Sequence, residues 1–477
     1  MKAMFPVAAS GLCFVLACCT HDITPQVAAI KDRDLGLSDS IAPPVATDWW
    51  KTFGDAQLDR LVVLALKDSP TLEQARARLR AARSEADSAR SQEFPQVSLD
   101  GVEERDQFSD RFVIPPPYAG TWRWIGAFGA NLSWDLDLWG RQAALVSKAR
   151  DLGGAAKLDV SAADLAISGA LVNAYIGLDE AYKLSDVADE TVTEREHIVA
   201  LSARRESEGI DSRAELVQAQ TLLDSARKEA ERARGNCDVA IHAVVALTGQ
   251  SASIYGTITR PALNKNLVLP LPQTLPADLL ARRPDILAAR LRIDAAMKGR
   301  EAAHAAFYPD INLLGIAGFA AIGMGNLFTA QAAQYGGGAA FHLPIFDAGK
   351  LRADFEYATA DLDSSVADYN SSVISAVHDT ADRLTQIRSL DAQNIEQTRF
   401  SQDAQNGYDL AESRYRSGLD NQITVLNAEN LLLQAREQQA EIDAARGSER
   451  VNLILAIGGG FDSARSDTKL ANAEKAP

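Results

Sequence analysis

The sequence predicts a mainly α-helical chain with a β-barrel part, assembled from two copies of one unit. Three observations carry that reading. No proline falls between Pro117 and Pro261 or between Pro344 and Pro477, and both stretches are rich in Ala, Leu, Glu, Gln and Arg. Residues 122–138 alternate apolar and polar with period two, which marks a strand wet on one face only. The segment between Pro70 and Pro95 also overlies the segment between Pro284 and Pro309 (284 − 70 = 214).

Under that shift Ala75 meets Ala289, Arg76 meets Arg290 and Arg78 meets Arg292, while Phe94-Pro95 falls on Tyr308-Pro309. Apolar residues three and four apart make both segments amphipathic helices ended by proline. A long strand follows. Trp122, Trp124, Phe128, Ala130, Leu132, Trp134, Leu136 and Leu138 share one face, and Arg123, Asn131, Ser133, Asp135 and Asp137 take the other. Tryptophans at its ends suit a membrane interface. In the second copy Ile311, Leu313, Ala317 and Phe319 alternate, then Ala339, Phe341, Leu343 and Ile345. With Val97, Leu99 and Gly101 opening another strand, each copy carries about two. The loops Asp110–Thr121 and Met324–Gly337 are expected to be exposed.

The proline-free stretches predict very long helices. Leu158, Leu165 and Val172, like Val366 and Val373, recur by sevens and suit coiled-coil packing. Breaks are expected at Gly153-Gly154 and at Gly209-Ile210-Asp211, the latter repeated at Gly418-Leu419-Asp420 (418 − 209 = 209). Residues 141–208 would span about 100 Å if continuously helical. That is a rod or a tube. Four strands cannot close a barrel, which needs about eight. The wet face therefore predicts several chains around one shared lumen.

Across 477 residues, 48 Lys plus Arg stand against 64 Asp plus Glu, a net charge of −16. That surplus of acid argues against a nucleic-acid partner. The histidines are scattered without metal-ligand spacing, and no phosphate-binding or nucleophile motif occurs, so no metal, cofactor or catalytic residue is expected. No mature run of about 20 apolar residues predicts a spanning helix, although a β-barrel leaves little trace in hydropathy. Lys2 and the apolar stretch from Phe5 to Ala17 read as a secretory signal. Val15-Leu16-Ala17-Cys18 resembles a bacterial lipoprotein signal, which implies acylation of Cys18, and Cys19 in place of aspartate favours sorting to the outer membrane. The expected division is a signal peptide at 1–17, a lipidated segment at 18–55 and a first repeat at 56–260. A linker at 261–275, a second repeat at 276–462 and a polar, disordered tail at 463–477 complete it.

Asp48-Trp49-Trp50-Lys51-Thr52-Phe53-Gly54-Asp55 followed by Leu58 resembles the opening motif of TolC-type outer-membrane factors, in their NodT-like lipoprotein branch. Ser133-Trp134-Asp135-Leu136-Asp137 with Gly140-Arg141, Arg282-Arg283-Pro284-Asp285-Ile286, Pro344-Ile345-Phe346-Asp347-Ala348-Gly349 and Tyr415-Arg416-Ser417-Gly418 are similar too. The resemblance covers about residues 45–462. It implies a homotrimer whose 12-stranded transmembrane β-barrel stands on a long periplasmic α-helical barrel. Such a trimer is the outer-membrane exit duct of a tripartite efflux system. Its partners would be a periplasmic adaptor (membrane fusion protein), an inner-membrane transporter of RND type and outer-membrane lipid.

By the same resemblance, the periplasmic gate lies just past the glycine turns. Ile423 matches an apolar ring residue, Asn427 a ring carboxylate, and Thr424 a position where some relatives carry another. Glu215 and Tyr415 match residues that latch neighbouring helices, whereas Asp420 replaces a basic latch residue. Asn131, Ser133, Asp135 and Asp137 are expected to face the lumen. Two competing readings are a lipid-anchored coiled-coil tether without a pore and the periplasmic adaptor itself. The aromatic-flanked strand argues against the first, and the lack of small β-rich modules against the second.

Overall fold

A computed structural model describes residues 23–31, 35, 37, 45–111, 113–264 and 282–461. The signal peptide, Cys18, residues 265–275 of the linker and the tail lie outside the described residues. Helices α1 (Ala56–Asp68) and α2 (Pro70–Ser91) lead into strands β1 (Gln96–Gln107) and β2 (Trp122–Asp135). Then come α3 (Arg141–Ser207) and α4 (Arg213–Leu247). The second copy repeats the order with α5 (Pro284–Ala305), β3 (Asp310–Ile322), β4 (Ala333–His342), α6 (Lys350–Arg416) and α7 (Gln422–Ala456). The duplication is close: α3 and α6 are both 67 residues long, α4 and α7 both 35, and α2 and α5 both 22. Pro70 and Pro284 open their helices, where a missing N–H costs nothing.

One unit combines Arg80–Ala155 and Ala289–Asn370 with the N-terminal segment up to Ala29. Its centre is one antiparallel sheet in the order β1-β2-β3-β4. The register sets Leu99 opposite Ala130, Phe128 opposite Phe319 and Ile311 opposite Phe341. Val97, Leu99, Trp124, Phe128, Leu132, Leu313, Phe319, Tyr335 and Phe341 therefore share one face of the pleat. On β1 this face turns charged past Gly101, at Glu103 and Arg105. The other face holds Ser98, Asp100, Asn131, Ser133, Asp135 and Asn312, with Leu314 and Ile316 on β3 opposite Ser133 and Asn131. In the same unit the Asp363 carboxylate accepts from the Gln26 and Val27 amides, and Arg300 donates to the Ile23 carbonyl.

Three expectations need correction here. β4 begins at Ala333, so the loop expected to run to Gly337 ends earlier and Gln334–Gly337 lie in the strand. β2 ends at Asp135, which leaves Leu136, Asp137 and Leu138 outside it. Helix α3 also runs unbroken through Gly153-Gly154. A Cβ on Gly154 would lie 3.0 Å from the Leu291 side chain on α5. These glycines permit close packing and do not interrupt the helix.

The second unit combines Ile30–Leu79, Ala156–Ala288 and Ser371–Pro477. Its core gathers Trp49, Trp50 and Phe53 with Leu58, Leu61 and Val62 of α1 and Leu171, Val172, Tyr175 and Leu178 of α3. Asp55 holds the opening motif in place. Its Oδ1 caps α1 through the Gln57 and Leu58 amides, and its Oδ2 accepts from the Tyr175 hydroxyl at 2.8 Å and the Ala262 amide at 2.7 Å. A window of α3 reaches a mean hydropathy of 1.3, and apolar side chains of that helix supply this core.

Candidate functional site

Two chain reversals carry the predicted gate residues, and both use the same device. At the end of α3 the Gly209 amide donates to the Glu206 carbonyl at 3.0 Å and the Ile210 amide to the Arg205 carbonyl at 2.8 Å. At the end of α6 the Gly418 amide donates to Tyr415 at 3.0 Å and the Leu419 amide to Arg414 at 2.9 Å. Gly209 and Gly418 take φ of 75° and 72°, a left-handed conformation that strains a side chain. The next helices are capped at once. Ser212 and Glu215 form a reciprocal capping box on α4, and Asn421 accepts from the Thr424 amide on α7.

An ion pair spans each turn. Arg205 Nε and Nη2 donate to the two carboxylate oxygens of Asp211, both at 2.8 Å. Arg414 Nε donates to Asp420 Oδ2 at 3.2 Å. The first pair is largely enclosed (13% and 7% exposed side chains), and the second is open (51% and 25%). Tyr415 makes the difference. Its hydroxyl donates to Asp211 Oδ2 at 2.8 Å, its carbonyl accepts from Arg205 Nη1, and its ring lies 4.5 Å from the guanidinium. The hydrogen bond from Arg205 holds the Asp211 carboxyl below its usual range. Burial pushes the Tyr415 hydroxyl up.

Farther along α3, Arg195 donates to Glu429 Oε1 at 3.0 Å, joining the first copy to the second. Burial raises the Glu429 carboxyl above its usual range, opposed by Arg195.

The predicted residues separate into two groups. Tyr415 is buried in the Arg205–Asp211 cluster. Glu215 accepts from the Ser212 amide at 2.6 Å, so its carboxylate serves its own helix. Thr424 donates to Asp420 Oδ1 at 2.9 Å. Ile423 and Asn427, four apart, lie on an exposed face of α7. Sequence reasoning placed Asp211 in the turn but missed its pairing with Arg205, and it missed the Arg195–Glu429 pair. The shift of 209 did contain the first pair: it lays Arg205 on Arg414 and Asp211 on Asp420.

On the sheet, Asn131 donates to Asp100 at 2.7 Å and Ser133 to Asn312 at 3.1 Å, while Asp135 ends β2. Asp137 does not belong with them. Its oxygens accept from the Gln142 and Ala143 amides at 3.0 and 2.8 Å, so it caps α3 where the chain turns out of the sheet. On the opposite face Trp124 and Trp134 bound the apolar stretch of β2. At about 3.4 Å per residue and a tilt of about 40°, that stretch is about 25 Å tall, the height of an outer-membrane apolar band.

The pattern described as outer membrane efflux protein matches residues 61–250 and 275–459. The chain belongs to the outer membrane efflux protein family. It is 33% identical over 372 residues to the fusaric acid resistance protein FusA of Burkholderia cepacia, covering 75% of this chain and 70% of that protein. It is 29% identical over 423 residues to the multidrug resistance outer membrane protein MdtQ of Escherichia coli O157:H7, covering 87% and 88%. The outer membrane protein VceC of Vibrio cholerae superposes with a TM-score of 0.81 at 30% identity, over 88% of this chain and 100% of that one. The Campylobacter jejuni outer membrane channel CmeC shares the fold, with a TM-score of 0.85 at 22% identity over 95% and 98%. This outer membrane efflux protein is the exit channel of an efflux system, with a β-barrel part in the outer membrane and helices extending into the periplasm.

Proposed function

We propose that three copies of the chain close a 12-stranded barrel and form the outer-membrane duct of a tripartite efflux system. Substrates reach it through a periplasmic adaptor from an inner-membrane transporter of RND type. One observation carries this reading: a four-stranded sheet with an apolar face about 25 Å tall whose edge strands, β1 and β4, have no partner strand among the described residues. An unpaired edge within lipid costs several kcal/mol per exposed group, so the edges must meet those of other copies. A coiled-coil tether has no use for such a sheet.

The polar face would then line the lumen, with Asn131, Ser133 and Asp135 on it. The turn ends of the helices form the periplasmic gate, with Ile423 as its apolar ring and Thr424 and Asn427 beside it. Exposed Ile210 and Leu419, one at each turn, offer apolar points to the adaptor. Cys18 carries the lipid anchor, and the chain soon after it is held by Asp363. Mass measurement of the detergent-solubilised protein should give three chains, each lipidated at Cys18, and planar bilayers should record conductance. A monomer that keeps all its strand content would overturn the shared barrel. An unmodified chain that keeps residues 1–17 would overturn the anchor.

A further inference from the structure

Behind the first turn, α3 and α7 run antiparallel, with polar side chains at core positions one heptad apart. On α7 these are Gln422 and Glu429, 1% and 0% exposed. On α3 they are Ser202 and Arg195, also buried. Gln422 Nε2 donates to Ser202 Oγ at 3.0 Å, and Arg195 Nε donates to Glu429 Oε1 at 3.0 Å. Both layers obey one register, because a heptad back along α3 matches a heptad forward along α7. Arg195 Nη1 also donates to the Leu222 carbonyl of α4 at 2.9 Å. One side chain thus binds both long helices of the first copy to α7 of the second.

Stability alone would not select these layers. Gln422 Oε1 and Glu429 Oε2 are buried without a hydrogen-bond partner among the described residues. A buried acceptor left unmatched is costly, and a well-packed apolar pair is often at least as stable as a buried ion pair. The surrounding core could accommodate one, being built from Ala219, Val425, Leu426, Leu432 and Ala435. Polar core positions have a different virtue: any other register would set them against carbon.

We propose that the Ser202–Gln422 and Arg195–Glu429 layers are a register lock between the two copies. The lock confines movement of the gate to the turn-side ends of α3 and α7, a second clause that rests on the gate reading above. The test compares amide hydrogen exchange, by mass spectrometry on the full-length protein, at residues 184–194 and 430–440. Glu429→Gln still accepts from Arg195 and should exchange like the wild type. The apolar pair Arg195→Met with Glu429→Leu should stay folded yet exchange about tenfold faster in both segments, because only the Ser202–Gln422 layer then opposes slippage. An apolar pair as protected as the wild type would overturn the lock. So would a Glu429→Gln variant as unprotected as the pair. Bilayer conductance of the same proteins tests the second clause separately: faster exchange without raised conductance would leave the lock standing and overturn that clause alone.

Discussion

Arg205 and Asp211 close across the first glycine turn through two hydrogen bonds of 2.8 Å, while their duplicates Arg414 and Asp420 meet through one of 3.2 Å. The two copies have diverged in what covers the pair. At the first turn Tyr415 arrives from the other copy and shields it, whereas the second pair stays open to water. Charge-assisted bonds in an enclosed site contribute about 1.5–3 kcal/mol, and exposed ion pairs about 0.2–1 kcal/mol. Arg205→Met should therefore lower the opening free energy of residues 198–215 by about 1.5–3 kcal/mol. Arg414→Met should change its own turn by less than about 1 kcal/mol. Amide exchange at the two turns measures both, and equal effects would contradict the asymmetry.

The same cluster predicts an acid response of known sign. Arg205 holds the folded Asp211 carboxyl below its unfolded value, so the folded chain binds this proton less readily. The stabilisation is complete above the unfolded aspartate pKa of about 3.9 and is lost as pH falls through the lower folded value. Protection at the first turn, corrected for intrinsic exchange, should hold from neutral pH to about 4.5 and decline below it. Asp211→Asn should start lower and show no such step.

Glycines of α3 offer a sharper contrast. A Cβ on Gly177 would meet nothing within 4 Å, whereas one on Gly169 would lie 2.3 Å from Leu455 Cδ1. Gly177→Ala should stabilise by about 0.5–1 kcal/mol, because alanine loses less backbone entropy in a helix. Gly169→Ala should cost about 1–3 kcal/mol by displacing Leu455. Thermal unfolding of the two detergent-solubilised variants should shift in opposite directions.

How much of this was legible follows from which forces leave a periodic trace. Strand parity and face were readable at Trp124, Phe128 and Leu132, because burial in a pleat imposes period two. The glycine turns were readable because only a left-handed residue ends both α3 and α6. Asp137 continued the strand alternation by spacing alone, and the chain used it as a cap. Gly153-Gly154 imitated a break, since a glycine that admits a neighbouring helix looks the same in sequence as one that stops its own. Arg195 and Glu429 were invisible: they lie 234 residues apart, and nothing local announces that they meet.

The two faces of β2 should respond differently to one substitution. Phe128 is mid-way along the apolar stretch and packs edge-on against Phe328 from the β3–β4 loop, with ring centroids 5.8 Å apart. Arginine at the midplane of a lipid-facing strand costs about 2–4 kcal/mol. Phe128→Arg should therefore reduce the fraction of protein recovered as assembled barrel in the outer membrane. Asn131→Arg, on the polar face beside Asp100, should assemble normally and shift ion preference towards anions. Equal assembly defects would mean that both faces meet lipid or protein.

Near the start of α7, Ile423 is 59% exposed although its neighbours Val425 and Leu426 are buried in the core beneath it. An isoleucine on an open face, repeated in each of three copies, can narrow and dry a pore. Asn427 lies one turn along the same face and carries no charge, so a ring of three would be polar but neutral. Ile423→Ser should wet the constriction and raise passive conductance in planar bilayers without altering the trimer. Asn427→Gly should do the same more weakly, and it also loosens the helix by about 0.3 kcal/mol. Asn427→Asp would set three carboxylates around the opening and favour cations over anions. Unchanged conductance and ion preference in all three variants would place the constriction elsewhere on the helices.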